Sequence, residues 1–139
     1  MSQEEAETSP PPTVPYAHIS ILAPGSRTKL PDSPHRVATL FQEYDDIREE
    51  HELPGGVLMS DEQAREVVLF VRNLPPQVEV LICQCRAGCS RSPATAAAIA
   101  RMMGRDDRPY FTYSGYAPNR HVYDKILLAA LIESGPRHP

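Results

Sequence analysis

The sequence predicts an α/β fold with a mainly parallel central sheet flanked by helices, and three observations lead there. Strand-forming runs such as Val78-Glu79-Val80-Leu81-Ile82 alternate with helix-forming runs such as Ala94 to Met103, the pattern of parallel strands joined by helical crossovers. The turn between those two runs is short and contains Gly88, so strand passes into helix almost directly. With 139 residues and 41% hydrophobic content, the chain has material for one core and one domain.

Taken in order, Met1 to about Pro15 carries acids, Ser and Thr and four prolines. It has too little apolar area to order itself, so residues 1–15 are expected to be a flexible, proline-rich tail, or less favourably a docking peptide, and residues 16–139 the folded domain. His18-Ile19-Ser20-Ile21-Leu22 is a short strand ended by Pro24-Gly25. Arg36-Val37-Ala38-Thr39-Leu40-Phe41 is apolar on both alternating faces, as in a central strand covered on both sides, and it delivers the chain to Tyr44-Asp45-Asp46-Ile47. After the Leu53-Pro54-Gly55-Gly56 loop, Ser60 and Gln63 form a capping box. The helix it starts runs to about Asn73, before Pro75-Pro76, with Val67, Val68, Phe70 and Val71 on its core face. The strand Val78–Ile82 and the helix Ala94–Met103 follow, with Gly104 as a C-cap. An irregular stretch holds Tyr110, Tyr113 and Tyr116; Asn119 then caps a last helix through Ile132, its inward face Val122, Ile126, Leu127, Ala129 and Ala130.

The chemistry concentrates in Cys85-Arg86-Ala87-Gly88-Cys89-Ser90-Arg91-Ser92. Pro93 suits the first turn of the following helix, Ser90 or Ser92 can cap it, and Gly88 permits a tight inward fold. A loop of this kind points successive N–H groups at one centre, at the positive end of a helix, where a dianion such as phosphate binds. A helix N-terminus and a nearby guanidinium lower a cysteine pKa from about 8.5, which makes Cys85 the candidate nucleophile. The planar fork of Arg91 matches two phosphate oxygens at once and makes it the candidate clamp and transition-state stabiliser. Ser92 is placed to donate to the sulfur when a phosphocysteine intermediate is hydrolysed.

On these residues the chain resembles the protein tyrosine and dual-specificity phosphatases, whose signature loop has Cys, five intervening residues, Arg, and then Ser or Thr. The resemblance extends from about Val37 to Leu131 and is closest to compact dual-specificity-like phosphatases, small microbial ones with a Pro-Asn segment before the last helix among them, here Pro118-Asn119. It implies a dual-specificity-phosphatase-like fold and cysteine-dependent hydrolysis of phosphomonoesters, with Arg86, Ala87, Gly88, Cys89, Ser90 and Arg91 around the phosphate. It implies no metal and no cofactor, and a phosphorylated protein or other phosphoester as partner. The family supplies an Asp as general acid from an upstream loop; Asp46, followed by Ile47, fits best, with Asp45 next and Asp61 third. The family also places His immediately before the nucleophile, where this chain has Gln84.

Two other readings compete. A rhodanese-like sulfurtransferase also heads an anion-binding loop with cysteine, although Arg-Ser at the far end favours phosphate. A catalytically silent phosphopeptide-binding module is the third, suggested by Gln84. Cys83, Cys85 and Cys89 lack the spacing and the fourth ligand of a structural zinc site; Cys83 or Cys89 could instead trap an oxidised Cys85 as a disulfide. The histidines are scattered, and His121 reads as a surface residue; the tyrosines either border the pocket or pack their own loop. A net charge of −4 disfavours nucleic acid, and no apolar run is long enough for a membrane span. Three cysteines and a start without the basic and apolar segments of a signal peptide point to a reducing, cytoplasmic setting, and the expected state is a monomer.

Overall fold

Tyr16–Leu22 (β1), Arg36–Glu43 (β2) and Val80–Gln84 (β3) form an all-parallel, three-stranded sheet in the order β2-β1-β3. The computed structural model describes residues 1–134 of the 139, so the last residues of the predicted 16–139 domain lie outside the described residues. The middle strand is β1, buried at every position. This corrects the expectation that Arg36–Phe41 is the central strand. The two-sided apolar pattern of β2 is met at the sheet edge, by Leu40 on the core side and by the Arg27 guanidinium lying 4.5 Å over the Phe41 ring on the other. His18 and Ser20 are polar positions of β1, yet both are buried because each finds a side-chain partner, Gln84 and Thr28.

One face of the sheet carries the hydrophobic core. Ile19 and Ile21 of β1, backed by Leu40, Leu81 and Cys83, pack against Asp61–Arg72 (α2), Arg91–Met102 (α3) and Arg120–Glu133 (α5). The Ser60–Gln63 capping box starts α2 as predicted, and Ala64, Val67 and Val68 form its buried stripe. In α3 the wholly buried Ala94, Ala97 and Ala98 leave no bulk between helix and sheet, so β3 and α3 are held closely at the loop that joins them. Asn119 caps α5 through Val122 N–H, and Val122, Ile126, Ala129 and Ala130 face inward, with Leu127 half-buried. The irregular stretch contains a short helix, Pro109–Thr112 (α4).

The other face is covered by the segment between β1 and β2 and by a helix at the start of the chain, Gln3–Thr8 (α1). Here the structure departs from the expected flexible tail. A capping box of Ser2 and Glu5 supplies local order, Ala6 is buried, and Glu7 accepts from Lys29 N–H. The segment is held by backbone hydrogen bonds to residues that surround Cys85, which composition cannot reveal. No helix among the described residues is long and apolar enough to cross a membrane.

Candidate active site

The strand β3 ends at Gln84 and α3 begins at Arg91, so the six residues 85–90 must turn the chain between them. Gly88 makes the turn with φ +76°, a left-handed conformation, and a Cβ there would lie 2.7 Å from Met1 and Ser2 backbone atoms, so glycine is required twice over.

The loop's carbonyls are tied outward. Gln84 Nε2 donates to Cys85 O at 3.2 Å, Gln3 N–H to Arg86 O at 2.9 Å, Ala117 N–H to Cys89 O at 2.7 Å, and Asn119 N–H to Ser90 O at 3.2 Å. In a trans peptide the C=O and the following N–H point in opposite directions, and no peptide here is cis. Pinning these four carbonyls outward therefore turns the amides of Arg86, Ala87, Ser90 and Arg91 inward. Gly88 N–H reaches Cys85 Sγ at 3.3 Å, while no protein acceptor among the described residues takes the amides of Arg86 or Ala87. Successive amides turned to one centre at a helix start are the geometry in which anions can be held.

Cys85 lies buried at the centre, its sulfur hydrogen-bonded to Ser92 Oγ at 3.2 Å, a hydroxyl that donates once the sulfur is a thiolate. Burial pushes the Cys85 thiol up, but the Ser92 hydroxyl and the Ser92, Gly88 and Ser90 amides turned toward the sulfur outweigh it, so the pKa falls below the ordinary cysteine value. Cys83, behind it on β3, lacks such donors, and burial pushes its thiol up to about 12. All three cysteines are free, and no group of three or more potential metal ligands occurs among the described residues.

Arg91 is buried and anchored on one side, its Nη1 donating to Tyr44 O at 2.8 Å. Its Nε is buried without a partner. An orphaned guanidinium N–H is a strong donor left without an acceptor.

Asp46 reaches this loop. Ser90 Oγ and Asn119 Nδ2 both donate to its Oδ1 at 2.8 Å, while Asp46 itself is exposed. Two donors on Oδ1 fix the carboxyl and leave Oδ2 for a proton. Asp45 is occupied elsewhere, bonding Val57 through both its carboxylate and its amide, and Asp61, at the start of α2, pairs with Lys125 of α5. Asn119 also donates to Ile47 O at 3.1 Å, so one side chain caps α5 and holds the acid loop against the phosphate loop. The sequence reading found only its capping role. The alternative that Ser90 or Ser92 caps α3 is corrected: neither does, since their hydroxyls go to Asp46 and to Cys85. Tyr113 and Tyr116 meet edge to face at 4.7 Å, and Tyr110 is packed against the core cluster, the arrangement of a loop packing on itself. His121 bonds Met59 O.

Among solved structures, the chain is similar to the crystal structure of the human tyrosine phosphatase-like serine/threonine/tyrosine-interacting protein, with a TM-score of 0.61 over 96% of this chain and 91% of that one. The fold is that of the tyrosine phosphatase-like proteins. At 19% identity the likeness concerns architecture, so the chemistry rests on the residues themselves. No protein-family profile and no curated protein sequence matches the chain.

Proposed function

We propose that this tyrosine phosphatase-like chain is a cysteine-dependent phosphomonoesterase acting on phosphorylated proteins or other phosphoesters. One observation carries the reading: a buried Cys85 sulfur with a lowered pKa sits at the centre of inward amides, beside an arginine whose Nε has no protein partner. The Cys85 thiolate attacks phosphorus, and the loop amides with Arg91 hold the equatorial oxygens, where charge develops. Asp46 gives its Oδ2 proton to the departing oxygen. In the second half it takes a proton from water as that water attacks the phosphocysteine, and the Ser92 hydroxyl stabilises the departing thiolate. No metal or organic cofactor enters these steps. A thiolate nucleophile needs a reducing compartment, and the cytoplasm provides one.

Turnover of para-nitrophenyl phosphate in the presence of a metal chelator tests the proposal. The parent should hydrolyse it and Cys85→Ser should not, while still binding inorganic phosphate, because amides and Arg91 do the binding. Activity surviving in Cys85→Ser would end the assignment of the nucleophile. A second reading is favoured by the structural neighbour, a tyrosine phosphatase-like protein named for interacting: a phosphopeptide-binding module on the same cradle. Tight phosphopeptide binding by a parent that hydrolyses nothing would select it.

A further inference from the structure

Beneath α1, on the sheet face away from the hydrophobic core, lies a buried polar pair that the proposed chemistry leaves unused. His18 on β1 and Gln84 on β3 are both buried, and their side chains meet at 3.0 Å. The register pairs Gln84 with Ser20, so His18 is its diagonal neighbour on the same face. Gln84 is also the residue before Cys85, and its Nε2 donates to Cys85 O.

The directions of these bonds follow from chemistry. A carbonyl only accepts, so the Gln84 NH2 must face Cys85 O and its Oε1 must face His18. Oε1 only accepts as well, so His18 presents a protonated Nε2. The chain of donors runs His18 Nε2–H to Gln84 Oε1, then Gln84 Nε2–H to Cys85 O. Cys85 O shares its peptide plane with the Arg86 N–H, one of the amides without a protein acceptor.

We propose that His18 is a positioning residue for the phosphate loop, acting through Gln84 to fix the Cys85–Arg86 peptide plane with its N–H toward the bound phosphate. An imidazole on the neighbouring strand thus orients the loop head by way of an amide. The inference rests on the phosphatase reading for its purpose, but its geometry concerns anion binding and the state of the sulfur, which are measurable without turnover.

The experiment follows iodoacetamide alkylation of Cys85 against pH by site-resolved mass spectrometry, and the protection given by inorganic phosphate. His18→Phe keeps the bulk and removes the donor. It should raise the alkylation midpoint and weaken phosphate protection roughly tenfold, the scale of one buried acceptor left unpaired. His18→Gln, which retains a donor, should restore both. Gln84→Leu should reproduce the loss, and adding His18→Phe to it should change nothing further. Losses that add in the double variant would overturn the proposal, as would a His18→Phe protein with a lower Tm but an unchanged midpoint and phosphate affinity. Should His18→Phe fail to fold, nitrogen NMR of the parent decides: Nε2 protonated and Nδ1 bare is expected, and the opposite tautomer excludes the relay. A parent that shows these effects yet hydrolyses no ester removes the phosphatase and keeps the relay; a hydrolysing parent insensitive to His18 does the reverse.

Discussion

Ser90 and Ser92 stand where a helix usually takes its cap, and neither caps. A capping hydroxyl is worth about 1 kcal/mol, and α3 forgoes it so that one serine holds Asp46 and the other bonds the Cys85 sulfur. The first amides of α3 are thereby left without a capping hydroxyl, that of Ser92 turned toward the sulfur. Cys85 and Arg91 were legible in the sequence because their spacing is itself the loop. Asn119 was legible only as a cap, since its other two bonds reach Asp46 and Ile47, 73 and 72 residues away, and no local pattern encodes that. The choice of Asp46 over Asp45 leads to a prediction. Asp46→Asn should lower kcat for alkyl or simple phenyl phosphates by about 10²- to 10⁴-fold, and much less for activated aryl esters whose leaving groups need little protonation. Rates across a leaving-group series check this. The same pattern in Asp45→Asn, with Asp46→Asn unaffected, would move the acid by one residue.

At the scale of elements, α1 departs furthest from the expectation. A helix of six residues with one buried side chain, Ala6, has no periodicity to detect, and its neighbouring prolines read as a tail. What fixes it is backbone pairing with the loop. Gln3 opens the helix and donates its N–H to Arg86 O, at a position where proline favours helix formation. Ser2 before it is already extended, as a residue preceding proline must be. Gln3→Pro therefore removes one bond to the loop while keeping the helix. We expect phosphate to bind about fivefold more weakly, the worth of one hydrogen bond, with Tm changed by only a few degrees. Titration with phosphate and a thermal scan check it, and unchanged affinity would show that α1 does not support the loop.

Over the whole molecule, alternation of strand and helix was enough to predict a parallel sheet flanked by helices, and the capping signals at Ser60 and Asn119 placed two helices correctly. Strand order was not legible, because the burial of β1 depends on His18 and Ser20 finding partners on other elements. That burial makes stability pH-dependent. Desolvation first, with the Arg36 charge adding to it and the Gln84 bond opposing it, holds His18 below the usual imidazole range. As pH falls through about 6.5 the unfolded chain takes up a proton before the folded one does, so this stability is present above that pH and lost below it, by up to about 1.4 kcal/mol per unit. The parent should lose more Tm than His18→Gln between about pH 7.5 and about pH 5.5. Equal losses in thermal scans of the two proteins would contradict a buried, neutral His18.

The claim on which the rest depends is that phosphorus passes through the Cys85 sulfur. Rapid quenching of the parent with a phosphorus-32-labelled aryl phosphate, followed by peptide mapping, tests it most directly. Label is expected on Cys85, approaching one equivalent early in turnover, persisting longer when Ser92 is replaced by alanine, and absent from Cys85→Ser. Steady hydrolysis with no label on Cys85, or label on any other residue, would contradict it.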